Sequence, residues 1–244
     1  LGELADDGWE VMAHGRRHRY LQAHPLAADA TAGDARVVVE AGHVFPGEDH
    51  AVFPGDTFEV TDGTRRERRV LAETGQSTDG ATLTFETGLD GDFEADETVV
   101  RPGEETLRDE AVGAKRDLQD MGFDPTTFVL PYDAGDARVQ SLVADHYDAL
   151  ADAAVRSLPN PPGTPPLALQ RYYLETDKLR PAELETYLDA VAERDGFGIL
   201  AGHSAWETVT PERVGAVVDA AHERGIEVTT VRNGVHSWQA SEIE

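Results

Sequence analysis

The 244-residue chain has no cysteine, so disulfides and thiolate metal ligands are excluded. Lysine is almost missing as well: Lys115 and Lys178 are the only two, and the remaining basic residues are arginine. No apolar run approaches the roughly 18 residues that a membrane span needs, so no membrane-spanning segment is expected. Basic charge is scarce overall, with 21 Lys and Arg against 47 Asp and Glu and a net charge of −26, which argues against nucleic acid and anionic membrane surfaces as partners. A hydrophobic share of 40% separates the chain from disordered acidic tails. Acid-rich, lysine-poor composition looks like that of a protein from a salt-loving microbe, where concentrated salt screens self-repulsion within a few ångströms. Leu1 stands inside an expected helix, so the chain is expected to be part of a longer protein.

What the chain does carry is ordered by period. Leu4–Asp7 reads as a helix end, Gly8 as its stop, and Trp9–Ala13 as a short strand. Arg36–Glu40, Thr57–Thr61, Arg66–Thr74, Ala81–Glu86 and Glu97–Arg101 read as β-strands, with Asp62-Gly63 and Asp79-Gly80 at hairpin positions. Their alternation makes Phe58, Val60, Leu83, Phe85 and Val99 the expected core of a small antiparallel barrel or sandwich over residues 30–103. From Glu104 the period becomes helical, with Leu107, Ala111, Ala114 and Leu118 on one stripe and Gly122 closing it. Beyond it, strands and helices alternate. Strands are expected within Pro125–Tyr132, at Ala151–Arg156, Leu167–Leu174 and Phe197–Gly202, and at Ile226–Val231. Helices are expected over Ala137–Leu150, Arg180–Arg194 and Pro211–Arg224. Alternation of this kind implies a parallel α/β core. Residues 1–29 and 104–244 would form it, with the β-block as an insertion.

His14 and His18 follow the first expected strand at a spacing that puts both imidazoles on one face of a coiled segment, within reach of one metal ion. Taken alone, the pair reads as well as two exposed histidines in a basic loop. His43 and His50 read as loop histidines, and His24, His146, His222 and His236 suggest no function.

The pattern L-x-x-x-G-x-E-V-x-x-H-x-x-x-H over Leu4–His18 resembles the metal-binding motif of the polysaccharide deacetylase family (NodB homology, carbohydrate esterase family 4). Val129-Leu130-Pro131-Tyr132 resembles that family's R-x-P-[FY] motif, with valine where arginine is usual. Ile199–His203 resembles its Leu–His strand-end motif with one residue added, and Thr229–Val231 its closing strand. The ordered set covers about 165 residues. The resemblance implies a distorted (β/α) barrel, NodB-like and of about seven strands when intact, carrying an inserted small antiparallel β-domain.

It also implies a function: removal of acetyl groups from a polysaccharide or N-acetyl sugar by a divalent-metal hydrolase. The metal would be zinc first, with cobalt, nickel or manganese as alternatives, and the partner a carbohydrate substrate. His14 and His18 would hold the metal. The family's Asp-Asp pair is absent from this chain, and Asp6 and Asp7 belong to the preceding helix. Tyr132 would offer its backbone N–H to the oxyanion, and His203 would protonate the leaving group. Arg171 would replace the arginine missing at Val129. Pro131, Leu200 and Trp206 would line the sugar site; a core tryptophan and a buried post-proline tyrosine remain the plain alternatives for Trp206 and Tyr132. Asp133 and Asp136 read as loop caps and are the nearest carboxylates by sequence that could approach the metal. A non-catalytic carbohydrate-binding relative and a metal-dependent amidase on a non-sugar C–N bond are the competing functions.

Overall fold

The computed structural model describes residues 1–40, 51–154, 158–175, 179–203 and 209–241. The chain starts with α1 (Gly2–Asp6), a turn and a half with no buried residue. It divides into two compact units: Leu1–Met12, Phe123–Asp133 and Val143–Glu244 form the first, and Ala13–Gly122 with Ala134–Leu142 the second. The β-block expected over 30–103 lies inside the second unit, whose bounds run wider on both sides.

The second unit is built on six antiparallel strands: β1 (His24–Pro25), β2 (Arg36–Val39), β3 (Thr57–Thr61), β4 (Arg66–Ser77), β5 (Gly80–Phe85) and β6 (Val99–Pro102). Their order is β1-β6-β3-β4-β5-β2. A bridge between Leu26 and Val39, with the Glu40 N–H donating to the Pro25 carbonyl at 2.9 Å, joins the two ends into a nearly closed barrel. Closure removes the unpaired strand edges that invite aggregation. The hairpin from β3 to β4 turns on Asp62, whose carboxylate accepts the N–H groups of Thr64 and Arg65, and on Gly63 at φ 87°.

Alternation works as expected at Phe58, Val60, Leu83 and Phe85, all buried. It slips by one residue at β6: Val100, not Val99, pairs with Val60 and is buried. Two consecutive valines leave the facing undecided in the sequence, and pairing with β3 decides it. The helix expected from Glu104 is also interrupted. α2 (Glu104–Arg108) and α3 (Ala114–Asp120) are joined by a π-helical turn, Asp109–Gly113.

His24 sits on β1 at 3% exposure, its ring stacked on Tyr20 with centroids 4.6 Å apart. Burial pushes its imidazole down to about 4 from the ordinary 6.5, a hydrogen bond with the Glu40 backbone offsetting part of the effect. The unfolded chain therefore takes up this proton near pH 6.5 and the folded chain only near 4, so stability falls as pH drops across that window. The expected loss is about 3 kcal/mol, at roughly 1.4 kcal/mol for each pH unit of the window. Denaturant titrations at several pH values on the native chain and on His24→Phe check it: the variant should lack this part of the acid sensitivity. Equal pH slopes would assign it elsewhere.

The first unit carries β7 (Thr127–Val129), β8 (Ala149–Ala154), β9 (Leu169–Tyr173) and β10 (Leu200–Ala201), parallel throughout in the order β10-β9-β8-β7. α4 (Ala137–Ala144) crosses the division between the units. α5 (Pro181–Glu193) opens with the Glu183 carboxylate accepting the Arg180 backbone N–H at 3.0 Å and the Arg180 guanidinium at 2.9 Å, and α6 (Pro211–Glu223) with the Thr210 hydroxyl accepting the Arg213 N–H. α7 (Val231–Ser241) closes the chain of elements. Tyr172, Leu174, Leu184, Tyr187, Leu188 and Val191 pack as one core cluster, and Val129, Ala149, Ala151, Leu169 and Ile199 as another.

This architecture overturns the expected distorted (β/α) barrel: the parallel part is a four-stranded sheet, and the closed element is the antiparallel one. Three segments make the difference. Trp9–Ala13 forms no strand; Trp9 is 65% exposed, and the Glu10 side chain instead accepts from the Thr127 hydroxyl and the Arg232 N–H. Ile226–Val231 forms none either, and Val231 becomes the first residue of α7. In Phe197–Gly202 only two residues are strand, because Phe197 exchanges both backbone hydrogen bonds with Asn160 in the proline-rich loop.

Candidate functional site

In the second unit, the loop after buried Ala13 turns on Gly15 at φ 79° and on His18 itself at φ 57°. A non-glycine residue at positive φ is uncommon and points to a surrounding structure that imposes it. The two imidazoles meet with Nε2 atoms 3.1 Å apart and rings at 76°. Two nitrogens bound to one tetrahedral zinc at ~2.0–2.1 Å lie roughly 3.3 Å apart, so this spacing suits a shared ion. It also suits a proton held between the rings. The convergence comes from two left-handed residues rather than from the helical coil expected of the i, i+4 spacing.

Acidic side chains hold the arginines of this loop. Arg16 binds Asp109 at 2.6 Å and Asp117 at 2.8 Å. Arg19, almost fully buried, binds Asp56 at 3.0 Å, and Asp109 and Glu110 at 2.8 Å. The Arg17 guanidinium lies over the Phe53 ring at 3.6 Å.

In the first unit, polar residues gather at the C-terminal ends of the parallel strands. Pro131 is buried directly after β7, and Tyr132 and Asp133 both take positive φ, 56° and 53°. That turn delivers the Asp133 carboxylate to Arg171 at 2.5 Å and to the Tyr173 hydroxyl. Burial, then the Asp133 carboxylate, pushes the Tyr173 phenol above its ordinary range, so it stays protonated as a donor. The Tyr173 ring stacks on His203 with centroids 6.2 Å apart.

Register explains the last member. β9 and β10 pair Ala201 with Tyr173, so two residues further on His203 stands opposite Glu175. The Glu175 carboxylate, fully buried, accepts the His203 N–H at 3.1 Å and meets its Nδ1 at 2.7 Å. Among the described residues, Glu175 Oε2 has no hydrogen-bond partner.

His203, Arg171 and the Pro131-Tyr132 turn thus belong to one neighbourhood of the first unit, and His14 and His18 to the second. Leu200 lies on the other face of the sheet, packed toward Tyr172 and Leu174. Val129 is buried among Ala149, Ala151 and Leu169, where an arginine would be stranded in apolar surroundings. Asp136 caps α4 through the Arg138 and Val139 N–H groups. Trp206, His43 and His50 lie outside the described residues. Sequence reasoning misses Tyr173 and Glu175 as site residues. Their signal is the period-2 run Arg171, Tyr173, Glu175, which puts three polar side chains on one face at a strand end.

No family model matches the chain. No curated protein matches it either. Among solved structures, the tailspike protein gp49 from Pseudomonas phage LKA1 is similar over 48% of this chain at 13% identity and a TM-score of 0.23. The match spans 17% of the tailspike, and a likeness that weak carries no argument about fold or function.

Proposed function

We propose that the chain is a metal-dependent hydrolase that removes acetyl groups from a polysaccharide or related N-acetyl sugar. The observation that carries this reading is the 3.1 Å approach of His14 Nε2 to His18 Nε2. The pair fits two positions of a divalent centre, zinc being suited to imidazole nitrogen. Among the described residues no group of three or more His, Asp or Glu could complete such a centre, so a third protein ligand is not identified. When bound, the ion would polarise the acetyl carbonyl and lower the pKa of a water.

By the resemblance alone, residues of the first unit take the following roles. His203 transfers a proton to the leaving nitrogen or oxygen through Nε2, since Glu175 engages Nδ1 at 2.7 Å. Glu175 thereby fixes the tautomer and ring orientation. Arg171 holds Asp133 and, through it, the Tyr173 ring against which His203 lies. The Tyr132 N–H is assigned to the oxyanion. The sequence motifs similar to those of polysaccharide deacetylases support the sugar substrate.

A second reading, a non-catalytic carbohydrate-binding protein, is favoured by buried Val129 in place of an arginine and by the missing third ligand. Acetate release separates the two. The full chain with zinc should release acetate from an N-acetylated oligosaccharide, lose the activity on chelation, and regain it when zinc is restored. Binding of the oligosaccharide without acetate release would establish the second reading instead.

A further inference from the structure

We infer that Glu110 is a positioning residue that holds His14 and His18 as a preformed pair; the inference rests on the metal reading of that pair and adds the device that sets its geometry. Glu110 lies on the π-helical turn and is 0% exposed. Its Oε1 accepts the backbone N–H of Arg19 at 2.8 Å, and its two oxygens share the N–H of Arg17 at 3.2 and 3.1 Å. Its own carbonyl accepts the N–H of Arg16 at 3.1 Å. One residue thus takes the backbone donors on both sides of His18, the residue held at φ 57°.

A loop of this kind left to itself would relax from the left-handed conformation, and the imidazoles would part. Hydrogen bonds from the Arg16, Arg17 and Arg19 N–H groups to this one buried residue oppose that relaxation. Arg19 Nη1 donates to Glu110 Oε2 at 2.8 Å, so the buried carboxylate faces a cation shared with Asp56 and Asp109. π-helical turns inside α-helices are frequent at functional sites, and both Asp109 and Glu110 on this one bind the histidine loop.

Two substitutions separate positioning from ordinary ion pairing. Glu110→Asp keeps the charge beside Arg19 but withdraws the carboxylate by one methylene from the loop N–H groups. Glu110→Gln keeps the reach and one accepting oxygen but drops the charge. Zinc affinity is measured by calorimetry on the full chain, and amide hydrogen exchange at Arg17 and Arg19 on the zinc-free chain. For Glu110→Asp, zinc affinity should fall about 10–100-fold, the range seen when groups that orient metal ligands are lost. The Arg17 and Arg19 amides should exchange at least about tenfold faster while Val60 and Val100 in the barrel keep their protection. Glu110→Gln should stay within about threefold of the native chain in both measurements.

Zinc affinity and exchange unchanged in Glu110→Asp, or equal losses in both variants, would make Glu110 an ordinary buried ion-pair partner and overturn the inference. If the native chain binds no zinc through His14 and His18, the metal reading fails by itself. The positioning claim is then decided by exchange: faster exchange at Arg17 and Arg19 in Glu110→Asp supports it, and unchanged exchange overturns it. Should Glu110→Asp lose the barrel protection altogether, Glu110→Gln decides, retention supporting the claim and loss ending it.

Discussion

Replacing His203 by alanine is expected to lower the rate of acetate release by about 10²–10⁴-fold, the range that a positioned general acid contributes. The side chain is 42% exposed and makes its hydrogen bond at the periphery of the sheet, so the variant should remain folded. Glu175→Gln should lose a large part of the same factor without touching the reacting atoms. The glutamine keeps the volume but replaces a carboxylate with an amide, which can present either an acceptor or a donor to Nδ1, so the tautomer is no longer imposed. Binding of the oligosaccharide should change little in either variant, which places the loss in turnover. Rates of acetate release, measured at saturating zinc for both variants, test this. A rate within about twofold of the native chain for His203→Ala would remove His203 from the proposed chemistry.

The barrel is legible in the sequence because its strands are half-buried, and a half-buried strand writes its two faces into alternate residues. Phe58, Val60, Leu83 and Phe85 follow that rule. The rule has nothing to say where two apolar residues adjoin, and the slip from Val99 to Val100 comes from pairing with β3. The parallel part is harder to read. Apolar runs such as Phe197–Gly202 look alike whether they lie in a sheet or pass beside one, and side contacts with Asn160 cut this strand to two residues. Trp9–Ala13 has strand composition, yet Glu10 serves as a side-chain acceptor for two distant elements.

The candidate site divides along the same line. His14 and His18 can be paired from sequence since only four residues separate them, although the turn that joins them is not helical. His203 with Glu175 depends on a strand register, and Glu110 with Arg17 and Arg19 on contacts more than ninety residues apart in sequence. Local periodicity cannot encode such pairings. Arg171, expected to orient a base, binds Asp133, a residue that reads from sequence as a loop cap.

Central to the proposed chemistry is a divalent ion held jointly by His14 and His18. Alanine at either position removes one of two identified donors, and affinity should fall by more than the roughly 10–100-fold typical of losing a group that only orients a ligand. X-ray absorption of the chain loaded with one equivalent of zinc reads the coordination itself. Two imidazole nitrogens at ~2.0–2.1 Å are expected in the native chain, and at most one in His14→Ala or His18→Ala. A zinc environment of oxygen donors alone, the same in all three proteins, would contradict the claim.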